Sequence, residues 1–204
     1  VYSYADKLAE LSLRCHDGIY IAEQFNYGLD NGSTNYIEVA PWYSGFIQGL
    51  ALSVCSRTYE LTGNVRMKAM ADSVFNSFVF ADSSDNVWTA FVDSAEYYWI
   101  EEYPFHPPIH VFNGFMFGIF GLHDYYMISH DERCLNIFRG ACTTVAHYAN
   151  SYRVPGQASY YSLELKEQFG GYHNLVVAML RHITALTGDP YFNAFADTLY
   201  SDYH

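Results

Sequence analysis

The apolar positions of this chain follow helical spacing over most of its length, and the polar breaks between them mark three paired segments. From Pro41, a residue suited to a first helical turn, the run P-W-Y-S-G-F-I-Q-G-L-A-L-S-V-C-S-R-T-Y-E-L-T-G is apolar or small on most faces and stops at Gly63. Asn64 opens a more polar helix, from Val65 to about Phe78. The same succession recurs. His110 to Met127 is apolar nearly all round, which predicts an inner helix, and Asp131 caps its successor, Glu132 to about Tyr148. Gly171-Tyr172-His173-Asn174 opens a third apolar helix ending at Leu186-Thr187-Gly188. Asp189-Pro190 starts the last, Tyr191 to about Tyr200.

The joints repeat as well. Tyr59 to Asn64 and Thr184 to Asp189 hold the same place in two hairpins, with Tyr126 to Asp131 a degenerate copy between them. A single hairpin cannot bury its own apolar face, so neighbours must stack. The pattern predicts a mainly α fold: an incomplete (α/α) toroid of stacked helical hairpins with short β ribbons at the mouth, one domain over residues 1–204. In such a fold the loops collect at one mouth, where the stretches around Pro41, Tyr103 and Tyr172 would meet.

The remaining segments read differently. Ser3 is placed to cap a helix running to about Arg14 on Leu8, Leu11 and Leu13, with Gly18 ending it. Gly18 to Val39 reads as irregular or extended, with a short ribbon at Ile19, Ile21, Phe25 and Tyr27 and a turn at Asp30-Asn31-Gly32. Val87 to Tyr98 reads as β, with arms Val87-Trp88-Thr89 and Tyr97-Tyr98-Trp99. Pro155-Gly156 turns the chain into an extended Ser159 to Leu163. The stretch W-I-E-E-Y-P-F-H-P-P-I-H-V-F-N-G-F, Trp99 to Phe115, is stiffened by prolines that cannot sit inside a helix. It aims Glu101, Glu102, Tyr103, His106 and His110 beside a buried helix, which marks it as a site.

Composition narrows the partners. The net charge of -12 argues against DNA or RNA, because phosphate binding draws on Lys and Arg. The 20 Tyr and 15 Phe supply flat faces with polar tips, suited to a thick core and to stacking on sugar rings. Cys15, Cys55, Cys134 and Cys142 form no C-x-x-C pair and fall in helical patterns, so buried free thiols are expected rather than disulfides or structural zinc. His106-x-x-x-His110 has metal-ligand spacing, but Pro107-Pro108 prevents the helix that spacing needs; no metal and no cofactor are expected. No apolar run reaches the roughly 18 residues of a membrane span. No signal peptide is seen, and the chain opens directly in a helix-like pattern, so it reads as part of a longer protein. A homo-oligomer is left open.

Three segments in combination carry a resemblance: W-Y-S-G-F-I-Q-G-L-A-L-S (Trp42 to Ser53), E-E-Y-P (Glu101 to Pro104) and V-F-N-G-F-M-F-G-I-F-G-L-H-D (Val111 to Asp124), with weaker support from Tyr161-Ser162-Leu163 and Tyr172-His173. From about Pro41 to its end the chain resembles the C-terminal catalytic domain of the D-glucuronyl C5-epimerases, which convert glucuronate to iduronate within heparan-type polymers. The resemblance implies a metal-independent isomerase acting on a uronate-containing polysaccharide, in a secretory compartment or outside the cell. It implies Glu102 and Tyr172 as the acid/base pair, with Tyr103 and Tyr161 orienting the ring or relaying protons. His173 and Asn174 would bind the uronate carboxylate. Gln48, Trp42 and Tyr43 would complete the pocket, with Asn113, His106 and His110 as weaker candidates for it. The chain departs from the family pattern in places. Where the family carries Y-D-L-R, Tyr161-Ser162-Leu163-Glu164 puts an acid in place of the arginine, and Gly170-Gly171 stands in place of a tryptophan and an aspartate.

Taken alone, these residues have plainer readings. Vicinal glutamates suit a solvated edge, Asn113 suits a helix cap, and Gln48 suits a bridge between backbone groups. Two other functions share the same residues: a polysaccharide lyase, which begins with the same proton abstraction, and a carbohydrate-binding domain without turnover.

Overall fold

The structure is a computed structural model and describes residues 2–29 and 36–204. Its elements follow in order as α1 (Tyr2–Glu10), β1 (Ser12–Cys15), β2 (Gly18–Glu23), β3 (Tyr27–Gly28), β4 (Ile37–Glu38), β5 (Trp42–Tyr43), α2 (Gly45–Thr62) and α3 (Val65–Val79). Then come β6 (Ala90–Val92), β7 (Tyr98–Ile100), α4 (Phe112–Ser129), α5 (Glu132–Tyr152), α6 (Gly170–Thr187) and α7 (Pro190–Asp202). The three helical hairpins are α2–α3, α4–α5 and α6–α7. They stack through their inner helices, α4 packing against both α2 and α6. The small sheets are all antiparallel.

Local chemistry sets the hairpin joints. Asn64, Asp131 and Asp189 each accept a bond from a backbone N–H two residues on, opening α3, α5 and α7. Gly63 and Gly188 close α2 and α6 in the left-handed region. In the degenerate middle joint His130 takes that conformation instead, at φ 52°. The helices α2 and α4 approach backbone to backbone. A Cβ on Gly121 would lie 2.3 Å from the Gly49 carbonyl oxygen, so only glycine fits there.

Several boundaries differ from the sequence reading. The first helix ends at Glu10 rather than near Arg14, because Ser12 to Cys15 pairs with β2 in the register Ser12↔Ile21 to Cys15↔Gly18. Gly18 therefore begins a strand instead of ending a helix, after a turn in which His16 and Asp17 hold positive φ. Ser3 falls within α1 rather than ahead of it, and the Asp30-Asn31-Gly32 turn lies outside the described residues. Pro41 is not in a helix. The chain stays extended through β5, which pairs Tyr43 with Ala22, and Ser44 caps α2 at Gly45. The ribbon after α3 pairs Ala90↔Ile100, so its first arm lies later than Val87-Trp88-Thr89. The inner helix begins at Phe112 rather than His110, and α5 and α7 run on to Tyr152 and Asp202. Ser159 to Leu163 is held by single bridges, Tyr160↔Gln168 and Val111↔Ser162.

The main core lies between inner and outer helices, around Phe75, Phe78, Trp88, Trp99, Phe112 and Met116. A second cluster gathers Leu29, Trp42, Tyr103, Ile109, Val111 and Tyr161 where the loops converge. The four cysteines are unbridged, three of them buried. Among the described residues no helix is long and apolar enough to cross a membrane.

Candidate active site

The site grows out of the end of β7. Glu101 donates its N–H to the Thr89 carbonyl (2.9 Å) and accepts from the Gly45 N–H (2.8 Å), which pins the chain between the ribbon and the start of α2. The following residue, Glu102, turns its side chain onto the first turn of α4. A Cβ on Gly114 would lie 2.2 Å from Glu102 Oε2 and 2.5 Å from its Cβ, so the glycine makes the space the carboxyl occupies. Glu102 is 8% exposed. Burial raises its pKa to about 7; bonds from Tyr103 and Tyr161 oppose the shift, and the neighbouring Glu101 adds to it least. Desolvation dominates the shift.

Two phenols follow from the carboxyl. Tyr161 Oη donates to Glu102 Oε2 at 3.5 Å, and Tyr103 Oη lies 3.5 Å from Tyr161 Oη, so the two phenols share a hydrogen bond beside the carboxyl. Both hydroxyls have their pKa values pushed up, first by burial and then by the Glu102 charge, so both hold their protons at neutral pH. Tyr161 is fixed by its own backbone: its N–H donates to the Glu167 carbonyl (2.7 Å) and its carbonyl accepts from Phe112 N (3.0 Å), the first residue of α4. Tyr103 is fixed by stacking, its ring lying 5.1 Å from Tyr27 with planes 5° apart and 5.9 Å from Trp42. Tyr172, third residue of α6, is 43% exposed at the rim, and its ring is 4.8 Å from that of Tyr161.

A cavity of about 160 Å³ opens beside these groups, walled by Glu23, Phe25, Tyr27, Trp42, Glu102 and Tyr103. Trp42 is held by donating its indole N–H to the Phe25 carbonyl (2.8 Å). Burial raises the Glu23 carboxyl, and raises Glu38, opposite Tyr27 in the β3–β4 ribbon, to about 7. Among the described residues no group of three or more His, Cys, Asp or Glu side chains is arranged to hold a metal ion.

The structure thus brings together Glu102, Tyr103, Tyr161, Tyr172 and Trp42. Asn113 is buried on the second residue of α4, and its Oδ1 has no hydrogen-bond partner. Other expected ligand residues are engaged elsewhere. Gln48 bridges backbone: its Oε1 accepts from Ile21 N (2.9 Å) and its Nε2 donates to Ile19 O (2.7 Å) and to Ser77 Oγ (2.8 Å). Tyr43 packs edge-on against Tyr20. His173 is 1% exposed, its Nδ1 accepting from Ser159 N (2.8 Å) and its Nε2–H donating to Leu199 O (3.0 Å), so neither nitrogen is left for a carboxylate. Asn174 is exposed and lines a separate cleft with Asp202 and Tyr203. His106 is exposed beside Trp88. His110 is taken up by Glu101: its Nδ1–H donates to Oε1 at 2.7 Å and its backbone N–H to Oε2 at 3.1 Å.

Glu23, Phe25 and Tyr27 were not anticipated in the wall. Their signal was the alternation: residues two apart on an extended segment face one side, and here that side carries an acid and two rings.

Chemically, a buried carboxyl that titrates near neutrality can accept or donate a proton, and phenols in contact with it can donate bonds to developing negative charge. Solved structures share the architecture at low identity. Cellobiose 2-epimerase from Spirochaeta thermophila DSM 6192 matches with a TM-score of 0.60 at 12% identity, over 96% of this chain and 49% of that one. The family 76 glycoside hydrolase (mannosidase) Bt3792 from Bacteroides thetaiotaomicron VPI-5482 matches with 0.60 at 14%, over 98% and 51%. This chain therefore spans about half the length of those toroid proteins, and at such identity the likeness is one of fold. The family evidence is in the sequence. Residues 19–201, from β2 to α7 and including every segment of the mouth, match the D-glucuronyl C5-epimerase C-terminus, and the chain belongs to that family.

Proposed function

We propose that this chain is the uronate C5-epimerase domain of a polysaccharide-modifying enzyme. The observation that carries the reading is the buried Glu102 carboxyl, with a pKa of about 7, hydrogen-bonded to a phenol whose ring meets Tyr172. Epimerisation breaks the C5–H bond α to the uronate carboxylate and forms a new one on the opposite face. Ionised Glu102 takes the C5 proton, and the electron pair left behind delocalises into the carboxylate as an enolate-like species. The Tyr172 hydroxyl delivers a proton to the other face. Tyr161 lies against both groups, and with Tyr103 it returns the proton from Glu102 to the Tyr172 phenolate, resetting the pair. The Trp42, Tyr27 and Phe25 rings stack the sugar, and the unpartnered Asn113 Oδ1 accepts from a sugar hydroxyl.

The substrate on this reading is a glucuronate-containing polymer of the heparan type. A lyase would share the first step and then expel the C4 substituent. One observation favours a binding domain without turnover: Glu164 stands exposed where the family carries an arginine.

Deuterium incorporation at C5 tests the proposal. The protein in deuterated buffer meets a panel of glucuronate polymers, beside Glu102→Gln and Tyr172→Phe. Exchange by the wild type, reduced at least about 100-fold in both variants, is expected. Unsaturated product absorbing in the ultraviolet would turn the assignment to a lyase. Tight binding to one polymer without exchange would turn it to a binding domain.

A further inference from the structure

Glu101 is fully buried, with 0% exposure, yet it lines no part of the cavity. Both of its carboxylate oxygens are spent on one residue, His110, through the ring Nδ1–H (2.7 Å) and the backbone N–H (3.1 Å). His110 is unusual in its turn. It holds φ 58°, a conformation uncommon for a residue with a Cβ. Its ring lies 4.2 Å from Trp99 and 5.8 Å from Phe91, and its carbonyl accepts from Tyr152 Oη at 2.7 Å. A buried carboxylate bound twice to a histidine, on a backbone pinned by Thr89 and Gly45 and one peptide bond from Glu102, is more elaborate than closing a loop requires.

We infer that Glu101 and His110 are a positioning pair, fixing the backbone that carries Glu102 and setting the electrostatic field in which Glu102 ionises. This deepens the epimerase reading and rests on it for its catalytic meaning, but the coupling itself is a property of the folded protein. The pair acts in two opposed ways. The Glu101 charge disfavours a second charge on Glu102, and the two His110 donors that bind Glu101 offset it. The other ionisable groups facing the pair and Glu102 are Tyr152 and Tyr148 from α5, Asp93 from the β6–β7 turn, Tyr103 from the loop, Tyr161 from the segment before α6 and, across the cavity, Glu23 from β2. Tyr148 and Trp99 both donate to Asp93 Oδ2, at 2.8 and 2.9 Å, so Asp93 is already compensated. Tyr103 and Tyr161 stay protonated at neutral pH. That leaves the Glu101 carboxylate, bound twice by His110, as the charge adjoining Glu102 in the chain, with Glu23 across the cavity.

The test reads Glu102 directly. Protein labelled with ¹³C at glutamate carboxyls is titrated by NMR, with the Glu102 signal assigned through Glu102→Gln. Glu101→Gln, which keeps the shape and removes the charge, should shift the Glu102 midpoint down by about half a pH unit, a roughly threefold change in its ionisation ratio. His110→Phe, which keeps a ring and removes the Nδ1–H donor that binds Glu101, should shift it up by a similar amount. Opposite shifts in the two variants support the pair. A midpoint unchanged in either, or moved the same way in both, overturns it, and where one variant fails to fold the direction in the other decides. Wild-type C5 exchange is measured beside these titrations. Opposite shifts with no exchange on any polymer would keep the pair and sink the epimerase reading.

Discussion

An unfolded chain ionises Glu102 near the ordinary 4.5, whereas the folded protein holds its proton to about 7. Between those values the folded state binds more protons, so this group's contribution is fully present below the unfolded value and is lost as pH rises through about 7. At about 1.4 kcal/mol per unit, the loss is on the order of 3 kcal/mol. Glu102→Gln, which cannot ionise, should therefore exceed the wild type in stability by about 1–3 kcal/mol at pH 8 and lie much closer to it at pH 5. Urea melts at both pH values check this, and an equal gap at both would refute the assigned burial. A destabilised site kept for function fits the same residue. Legibility at this scale was uneven. The motifs singled out Glu102, Tyr103, Tyr161 and Tyr172, whose side chains the structure brings together. Gln48 and His173 carried similar polar chemistry in sequence, but backbone partners far along the chain claimed their atoms.

At the scale of elements, what was written locally was readable. Asn64, Asp131, Asp189, Gly63 and Gly188 mark helix ends because capping involves only neighbours. The failures at Arg14 and Pro41 share one cause. Strand β2 pairs with β1 through a tight hairpin at His16–Asp17 and with the more distant β5 on its other side, and this pairing overrides helical spacing at Leu11 and Leu13. The packing of α2 on α4 makes a sharp prediction. Gly121→Ala would press a methyl into the Gly49 carbonyl, where backbone and not a flexible side chain must yield. It should destabilise by about 1–3 kcal/mol in denaturant melts. Gly114→Ala should instead displace Glu102 itself, so on the proposed reading its loss of C5 exchange should exceed what its stability loss explains. An active Gly114→Ala would mean that the observed carboxyl position is not the working one.

Across the whole molecule, the acid excess meets a substrate that is itself a polyanion on the proposed reading. The net charge is -12 and the cavity wall carries Glu23 and Glu102, while Arg57, Arg133, Arg153 and Arg181 are already held in ion pairs. Raising the salt from low to physiological strength should thus strengthen binding of a uronate polymer, by about threefold, because screening weakens the repulsion. Calorimetry across a salt series reads this, and the usual weakening with salt would point to a cationic groove instead.

The stack of Tyr27 on Tyr103 has one more consequence. Each helical hairpin joins neighbours in the chain, but this stack joins the β3–β4 ribbon to the loop between β7 and α4, across α2 and α3. Local contacts form quickly and distant ones wait for the chain to close. During refolding, helical circular dichroism should return first and the near-ultraviolet tyrosine and tryptophan signal later. The mouth would then be the last part of the molecule to acquire its shape, and a chain released early would be helical yet without the pocket on which the proposed function rests.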